Sequence, residues 1–264
     1  MDVTCVRCPA GNVTGWYDGA VMRATGIRYA RAERHRAPEA EPEGDGDIDA
    51  THFSPRCPQR ANPLQTPESE RREMGVDEHA QYLSITAPRD AVPGEGLPVM
   101  VWIHGGSYET GGGDETYSDP ALLVEEQRVI VVAVTYRLGP LGFLGGDDRP
   151  ANLGLLDQVE ALRWVRRNIA AFGGDPDTIT AFGQSAGADA VAHLMIADGA
   201  AGLFRRAILQ SPPLGITLGR AAMAATMDRR FRELPEVLTD GTMVQEQRRL
   251  VRGLGRFGWV SAMP

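Results

Sequence analysis

The residues best suited to chemistry lie in the run Phe182-Gly183-Gln184-Ser185-Ala186-Gly187, which has the pattern G-x-S-x-G. A β-type run, Thr178 to Phe182, precedes the serine, and a small, apolar stretch of helical composition, Ala186 to Ile196, follows it. A serine on so tight a strand-to-helix turn exposes its hydroxyl at the end of a sheet, where bulky neighbours two residues away would clash. The context predicts that Ser185 is a nucleophile. The alternative is a glycine-rich turn that carries an ordinary serine.

A second glycine-rich segment, His104-Gly105-Gly106-Ser107, directly follows the apolar run Val99 to Ile103. A serine nucleophile needs a base, a group that orients the base, and donors for the oxyanion that forms at the attacked carbonyl. A glycine-rich turn after a strand can aim backbone N–H groups toward the serine. The natural donors are the amides of Gly106, Ser107 and Ala186, the residue after the nucleophile. The alternative for this segment is a plain strand-end turn.

The elements that must position these segments form an α/β pattern. Val99 to Ile103 and Val129 to Val134 are continuous apolar runs, typical of central strands covered by helices on both faces. Apolar residues at helical spacing over Leu155 to Ala170 predict an amphipathic helix, which ends at a glycine pair followed by a proline. Other predicted elements are a hairpin over residues 11–30, strands at Gln81 to Ile85 and Arg206 to Gln210, and helical structure from Gly219 to Leu250, broken at Leu234-Pro235 and Asp240-Gly241.

Residues 37–77 interrupt this pattern. They are rich in Pro, Glu, Arg and Asp and poor in aliphatic residues, which predicts a long irregular surface loop. Acidic residues alternate with small or turn residues from Glu39 to Asp49, and a charge run of this kind is usually solvated.

Composition limits the class of protein. A chain of 264 residues with 42% hydrophobic content can bury one core, so we expect a single domain. The formal net charge is −8 and there is no block of Lys or Arg, which argues against a nucleic-acid partner. The longest apolar runs have the length of strands and are too short to span a bilayer.

The cysteines and the N-terminus bear on location. Cys5, Cys8 and Cys57 are too few for a disulfide framework, and the Cys5-Val6-Arg7-Cys8 spacing lacks the second pair that a metal site needs. The first eight residues contain no apolar segment of the signal-peptide kind, so we expect a cytoplasmic protein.

Five segments, in order along the chain, carry a family resemblance: VWIHGGSY from Val101, TYRLGPLGF from Thr135, NLGLLDQ from Asn152, AFGGDP from Ala171 before the serine motif, and FRRAILQS from Phe204. Together they resemble the type-B carboxylesterases, the family of para-nitrobenzyl-type esterases, animal carboxylesterases and cholinesterases. The resemblance runs from about Gly15 onward and covers nearly the whole chain.

The resemblance implies an α/β-hydrolase fold, with a central, mostly parallel sheet and flanking helices. It implies that Ser185 is the nucleophile and that Gly106, Ser107 and Ala186 form a three-donor oxyanion hole. The implied reaction is hydrolysis of a small-molecule carboxylic ester through an acyl-enzyme, without a cofactor or metal.

The sequence departs from the family at several positions. Ser107 stands where the family has a third glycine, and Gln184 stands where it often has Glu. The segment Asp77 to Gln81 lacks the family's cysteine, so Cys57 has no expected disulfide partner, in agreement with a reducing compartment. Two structural ion pairs are expected, Glu78 with Arg34 or Arg36, and Arg137 with Asp157.

The triad acid and histidine are the largest departure. In the family they follow later strands, after the serine, but this sequence ends at Pro264 before either would appear, so we expect residues 1–264 to be a truncated domain. Of the five histidines only His193 follows Ser185, about 12 Å further along the predicted helix. His35, His52 and His79 are expected in solvated loops.

Three hypotheses stay open at this point. The chain is an esterase represented by its N-terminal portion, or a catalytically silent binding module. Alternatively, a second chain or the missing C-terminal half supplies the remaining strands and the histidine. The predicted strand Arg206 to Gln210 would then be an apolar edge that invites pairing.

Overall fold

The computed structural model describes residues 2–60, 74–215, 220–233 and 240–251, which form one large sheet with helices on both faces. The strands are β1 (Val3–Cys8), β2 (Gly11–Asp18), β3 (Val21–Arg28), β4 (Ala30–Arg31), β5 (Glu39–Ala40), β6 (Asp47–Asp49), β7 (Tyr82–Pro88), β8 (Val99–Ile103), β9 (Ile130–Thr135), β10 (Thr180–Gln184) and β11 (Arg206–Gln210). The α-helices are α1 (Ala121–Gln127), α2 (Gly139–Gly142), α3 (Leu153–Asn168), α4 (Ala186–Leu194), α5 (Arg220–Arg232) and α6 (Asp240–Val251). Short 3-10 helices cover Thr116–Ser118 and Ile169–Phe172.

The order of the large sheet is β1-β2-β3-β7-β9-β8-β10-β11, with β6 beside β2 and a separate β4-β5 ribbon. The strands from β1 to β9 in this order pair antiparallel. The half that contains β9, β8, β10 and β11 is entirely parallel. Parallel neighbours need crossover connections, and here α1, α3 and α4 lie in the three connections. The predicted α/β arrangement is confirmed.

The two faces of the sheet bury different side chains of the same strand. Along β9, Ile130, Val132 and Val134 join the main core, while Val131 packs in a smaller cluster with Val124 of α1. All six residues of β9 are buried, because each successive side chain points to the opposite face and both faces are covered. This confirms the interpretation of the continuous apolar run as a central strand.

Most predicted elements lie within one or two residues of their observed bounds. The hairpin over residues 11–30 is β2 and β3, and Arg206 to Gln210 is β11 at the edge of the described sheet. The described part of segment 37–77 contains the short strands β5 and β6. The acidic run within it is largely exposed. The predicted break at Leu234-Pro235 falls outside the described residues.

Both predicted ion pairs form. Arg137 and Asp157 lie 2.7 Å apart (Nη2 to Oδ1), and Glu78 selects Arg34, with Nη2 and Oε2 at 2.6 Å. Cys5, Cys8 and Cys57 form no disulfide. In the described ranges no helix has the length and apolarity of a membrane span, and no three metal-binding side chains are grouped.

Candidate active site

The two glycine-rich segments meet where the strand connections diverge. The parallel register places Gly183 of β10 opposite Ile103 of β8, so the carboxyl ends of both strands lie at the same edge. The connection from β8 leads to β9 on one side, and the connection from β10 leads to β11 on the other. In open α/β sheets such a switch point leaves a crevice, and ligands bind there. His104 to Ser107 and Ser185 therefore lie together at the edge of the sheet where a ligand is expected to bind.

Ser185 has a backbone conformation that L-residues rarely adopt. Its φ is 55° and its ψ is −122°, between the last residue of β10 and the first of α4. Its N–H donates to Gln210 O of β11 at 2.9 Å, and its carbonyl accepts from Asp189 N at 3.0 Å, which begins the helix. Strain of this kind persists only where the surroundings impose it, and it concentrates at functional sites. The predicted strand–turn–helix context of Ser185 is confirmed.

The flanking glycines are required by close packing. A Cβ on Gly183 would lie 2.5 Å from the carbonyl carbon of Gly187. A Cβ on Gly187 would lie 2.0 Å from Ile103 O of the neighbouring strand. Both neighbours are backbone atoms, which cannot rotate away. The predicted reason for glycine at these two positions is therefore correct.

The loop after β8 packs directly on the serine turn. A Cβ on Gly105 would lie 2.4 Å from Gln184 O, so no larger residue fits between the loop and the serine turn. Gly106 has φ +113°, and its carbonyl accepts from the amides of Glu109 and Thr110, each at 3.0 Å. Ser107 follows with φ +58°. The loop is thus a tight turn, and Ser107 adopts the left-handed conformation that glycine adopts most readily.

Among the described residues, the three candidate oxyanion donors have no acceptor. Within the described part of the chain, no hydrogen bond is made by the amides of Gly106, Ser107 or Ala186. Ala186 is the first residue of α4, where a helix leaves its N–H groups unsatisfied and carries a partial positive charge. Unsatisfied amides beside a serine hydroxyl suit the binding of an anionic oxygen.

His104 supports the loop from the core. It is fully buried, its ring stacks on Tyr136 with centroids 4.4 Å apart, and its Nδ1 donates to Gly105 O at 2.9 Å. Burial lowers the pKa of His104 to about 4, because the charged imidazolium would lose its hydration. His104 is consequently a neutral structural residue at neutral pH.

The other four histidines contact groups other than Ser185. His193 donates from Nδ1 to Asp189 O of its own helix at 2.8 Å. His52 is exposed, as expected, but the expectation of solvated loops is wrong for His35 and His79. His35 is half-buried against Phe231, and burial lowers its pKa to about 4. His79 is half-buried, and its Nδ1 donates to Ala32 O at 2.8 Å. No hydrogen bond joins a histidine to Ser185 in the described ranges.

One buried polar pair at the site was missed from the sequence. Tyr108 OH donates to Asp189 Oδ2 at 2.8 Å, below the loop and beside the serine turn. Asp189 is the single acidic residue in the apolar helix α4, and that isolation is the signal that sequence reasoning had available.

A parallel sheet with crossover helices and a strained serine at its switch point defines an α/β-hydrolase fold. The chain belongs to the carboxylesterase family, whose family model matches residues 2–240.

Individual relatives agree with the family. The chain is 42% identical over 209 residues to the para-nitrobenzyl esterase of Bacillus subtilis (strain 168), covering 76% of this chain and 42% of that protein. It is 43% identical over 195 residues to the bile salt-activated lipase of Mus musculus, covering 70% of this chain and 31% of that protein. A solved carboxylesterase of Geobacillus stearothermophilus superposes with a TM-score of 0.79 at 36% identity, covering 95% of this chain and 54% of that one. The chain thus spans between about a third and about half of the length of these proteins.

Proposed function

We propose that this chain carries the nucleophile and the oxyanion hole of a serine carboxylesterase that acts on small-molecule carboxylic esters. The observation that carries the proposal is the strained Ser185 at the switch point, against which the loop after β8 packs; within the described residues the amides of Gly106, Ser107 and Ala186 make no hydrogen bond. The family membership and the names of the esterase relatives support the class of reaction.

In the proposed reaction Ser185 Oγ attacks the ester carbonyl carbon and transfers its proton to a general base. The carbonyl oxygen becomes an oxyanion, which the amides of Gly106, Ser107 and Ala186 would stabilise. The C–O bond to the alcohol then breaks and the alcohol leaves with the proton. Water attacks the acyl-enzyme through the same geometry and releases the acid. Removal of one oxyanion donor typically costs about 10²-fold to 10³-fold in rate.

Among the described residues, no histidine is hydrogen-bonded to Ser185, so the general base of the proposed reaction is not accounted for. Loss of a triad histidine lowers kcat about 10⁶-fold in a studied serine hydrolase. The oxyanion hole and substrate binding alone then still accelerate the reaction about 10³-fold to 10⁴-fold over the reaction in water. We therefore propose that the acid and the histidine come from a further segment or a second chain that completes the sheet. The edge strand β11 supports this, because Ile208 is 43% exposed on it.

The test combines covalent labelling with turnover. The chain is treated with a fluorophosphonate probe and assayed with p-nitrophenyl esters, and Ser185→Ala is the matched control. Labelling at Ser185 and turnover that Ser185→Ala abolishes would support the esterase proposal. A folded chain that shows neither, alone or with the polypeptide encoded just downstream, would instead favour the catalytically silent module.

A further inference from the structure

A buried hydrogen bond joins the loop after β8 to the helix that follows the nucleophile. Tyr108 OH donates to Asp189 Oδ2 at 2.8 Å, and the two residues are 1% and 0% exposed. The bond connects the residue next to Ser107 with the first turn of α4. It therefore spans the two segments that hold the candidate oxyanion donors.

The loop needs such a tie because its conformation is strained. Ser107 and Tyr108 both have φ +58°, and two consecutive left-handed residues with side chains are costly. The tyrosine ring packs on Phe143 with centroids 4.6 Å apart, so the ring is held even without its hydroxyl. The hydroxyl bond then fixes how far the loop stands from α4.

The surroundings of the buried Asp189 carboxylate reduce the cost of burying its negative charge. Asp189 lies in the first turn of α4, where the helix dipole favours negative charge. His193 of the same helix holds its Nδ1 3.7 Å from Asp189 Oδ2, the oxygen that accepts from Tyr108. A buried acceptor that loses its donor costs the full desolvation of the group, so the pair resists separation.

We propose that Tyr108 and Asp189 are positioning residues of the proposed esterase site: their bond holds the Gly105-to-Tyr108 loop at the spacing from α4 that the amides of Gly106, Ser107 and Ala186 need. This inference rests on the proposed function. In this proposal Asp189 acts through the loop and does not contact the substrate.

The first test measures the opening of the loop and does not require the protein to be active. Amide hydrogen exchange is followed by mass spectrometry in Tyr108→Phe, Asp189→Leu and Asp189→Asn. We expect exchange at residues 106–110 to become about tenfold faster in the first two variants, because the tie is lost. Asp189→Asn keeps an acceptor and should stay within about twofold of the wild type. The matched control is Tyr29→Phe, which removes another buried hydroxyl bond, to Thr135 O at 2.9 Å, away from the loop. Equal acceleration in Tyr29→Phe, or none in Tyr108→Phe, would overturn the proposal.

The second test measures the reactivity of Ser185. Provided that the fluorophosphonate labels Ser185 of the wild type, Tyr108→Phe should lower the maximal labelling rate about tenfold. The probe concentration that gives half of this maximal rate should stay unchanged. The double variant Tyr108→Phe/Asp189→Leu should be no slower than the single variants, since both lose the same bond. An unchanged rate in Tyr108→Phe would overturn the positioning role. If the wild type is not labelled either alone or with the polypeptide encoded just downstream, the proposed function fails, and the exchange measurement still decides whether the bond holds the loop.

Discussion

Arg137 and Asp157 form a two-pronged ion pair closed off from solvent. Arg137 Nε and Nη2 donate to the two oxygens of the Asp157 carboxylate at 2.8 and 2.7 Å, and the side chains are 3% and 0% exposed. Arg137 also donates from Nη1 to Arg36 O at 2.8 Å. The pair thus anchors α3 to the segment after β9 and to the loop before β5.

Asp157→Asn is expected to lower the free energy of unfolding by about 4 kcal/mol, because it leaves the Arg137 charge buried without a carboxylate. Urea denaturation measures the change. Asp45→Asn is the matched control: its partner Arg7 and the Asp45 carboxylate are 79% and 87% exposed, so its loss should cost under about 0.5 kcal/mol. Equal losses in the two variants would contradict the expected role of burial.

Gly187→Ala is expected to disrupt the serine turn, since the new Cβ would lie 2.0 Å from Ile103 O. Overpacking of this kind costs about 3 kcal/mol, and here it pushes α4 away from β8. Thermal unfolding and fluorophosphonate labelling should both decline. Gly46→Ala is the control, because a Cβ there meets nothing within 4 Å. A fully stable and reactive Gly187→Ala would show that the turn can relax.

The sequence was sufficient for the strands, the serine turn and its glycines, because each depends on a local pattern. The apolar run of β9 and the G-x-S-x-G context are examples. It was insufficient where burial depends on distant segments. His35 was expected in solvent, yet Phe231 of α5 packs on it across the fold. The Tyr108–Asp189 bond joins residues 81 positions apart, so no local pattern could pair them.

Acid should destabilise the fold partly through His104. Its pKa is lowered to about 4 in the folded state and is about 6.5 when unfolded. The unfolded chain therefore binds a proton first, and the stability present above pH 6.5 is lost as the pH falls toward 4. From pH 7 to 5 this one group should remove about 2 kcal/mol.

Urea denaturation at both pH values tests this. His104→Gln should show a pH dependence that is weaker by about that amount, whereas His52→Gln, which removes a side chain 82% exposed, should match the wild type. The same dependence in His104→Gln and the wild type would contradict the assignment.

Ser185→Gly is expected to be more stable than Ser185→Ala by about 1 kcal/mol. At φ 55° and ψ −122° any side chain is strained, whereas glycine adopts this region freely. The strain relieved is about 1–3 kcal/mol, and the greater freedom of glycine in the unfolded chain offsets part of it. Both variants lack the hydroxyl, so the comparison isolates the backbone from any change in chemistry. Chemical denaturation of the two variants side by side gives the difference. If Ser185→Ala proves as stable as Ser185→Gly, the strain at Ser185 is no larger than the offset from the freedom of glycine in the unfolded chain, which would contradict the expected cost of this conformation.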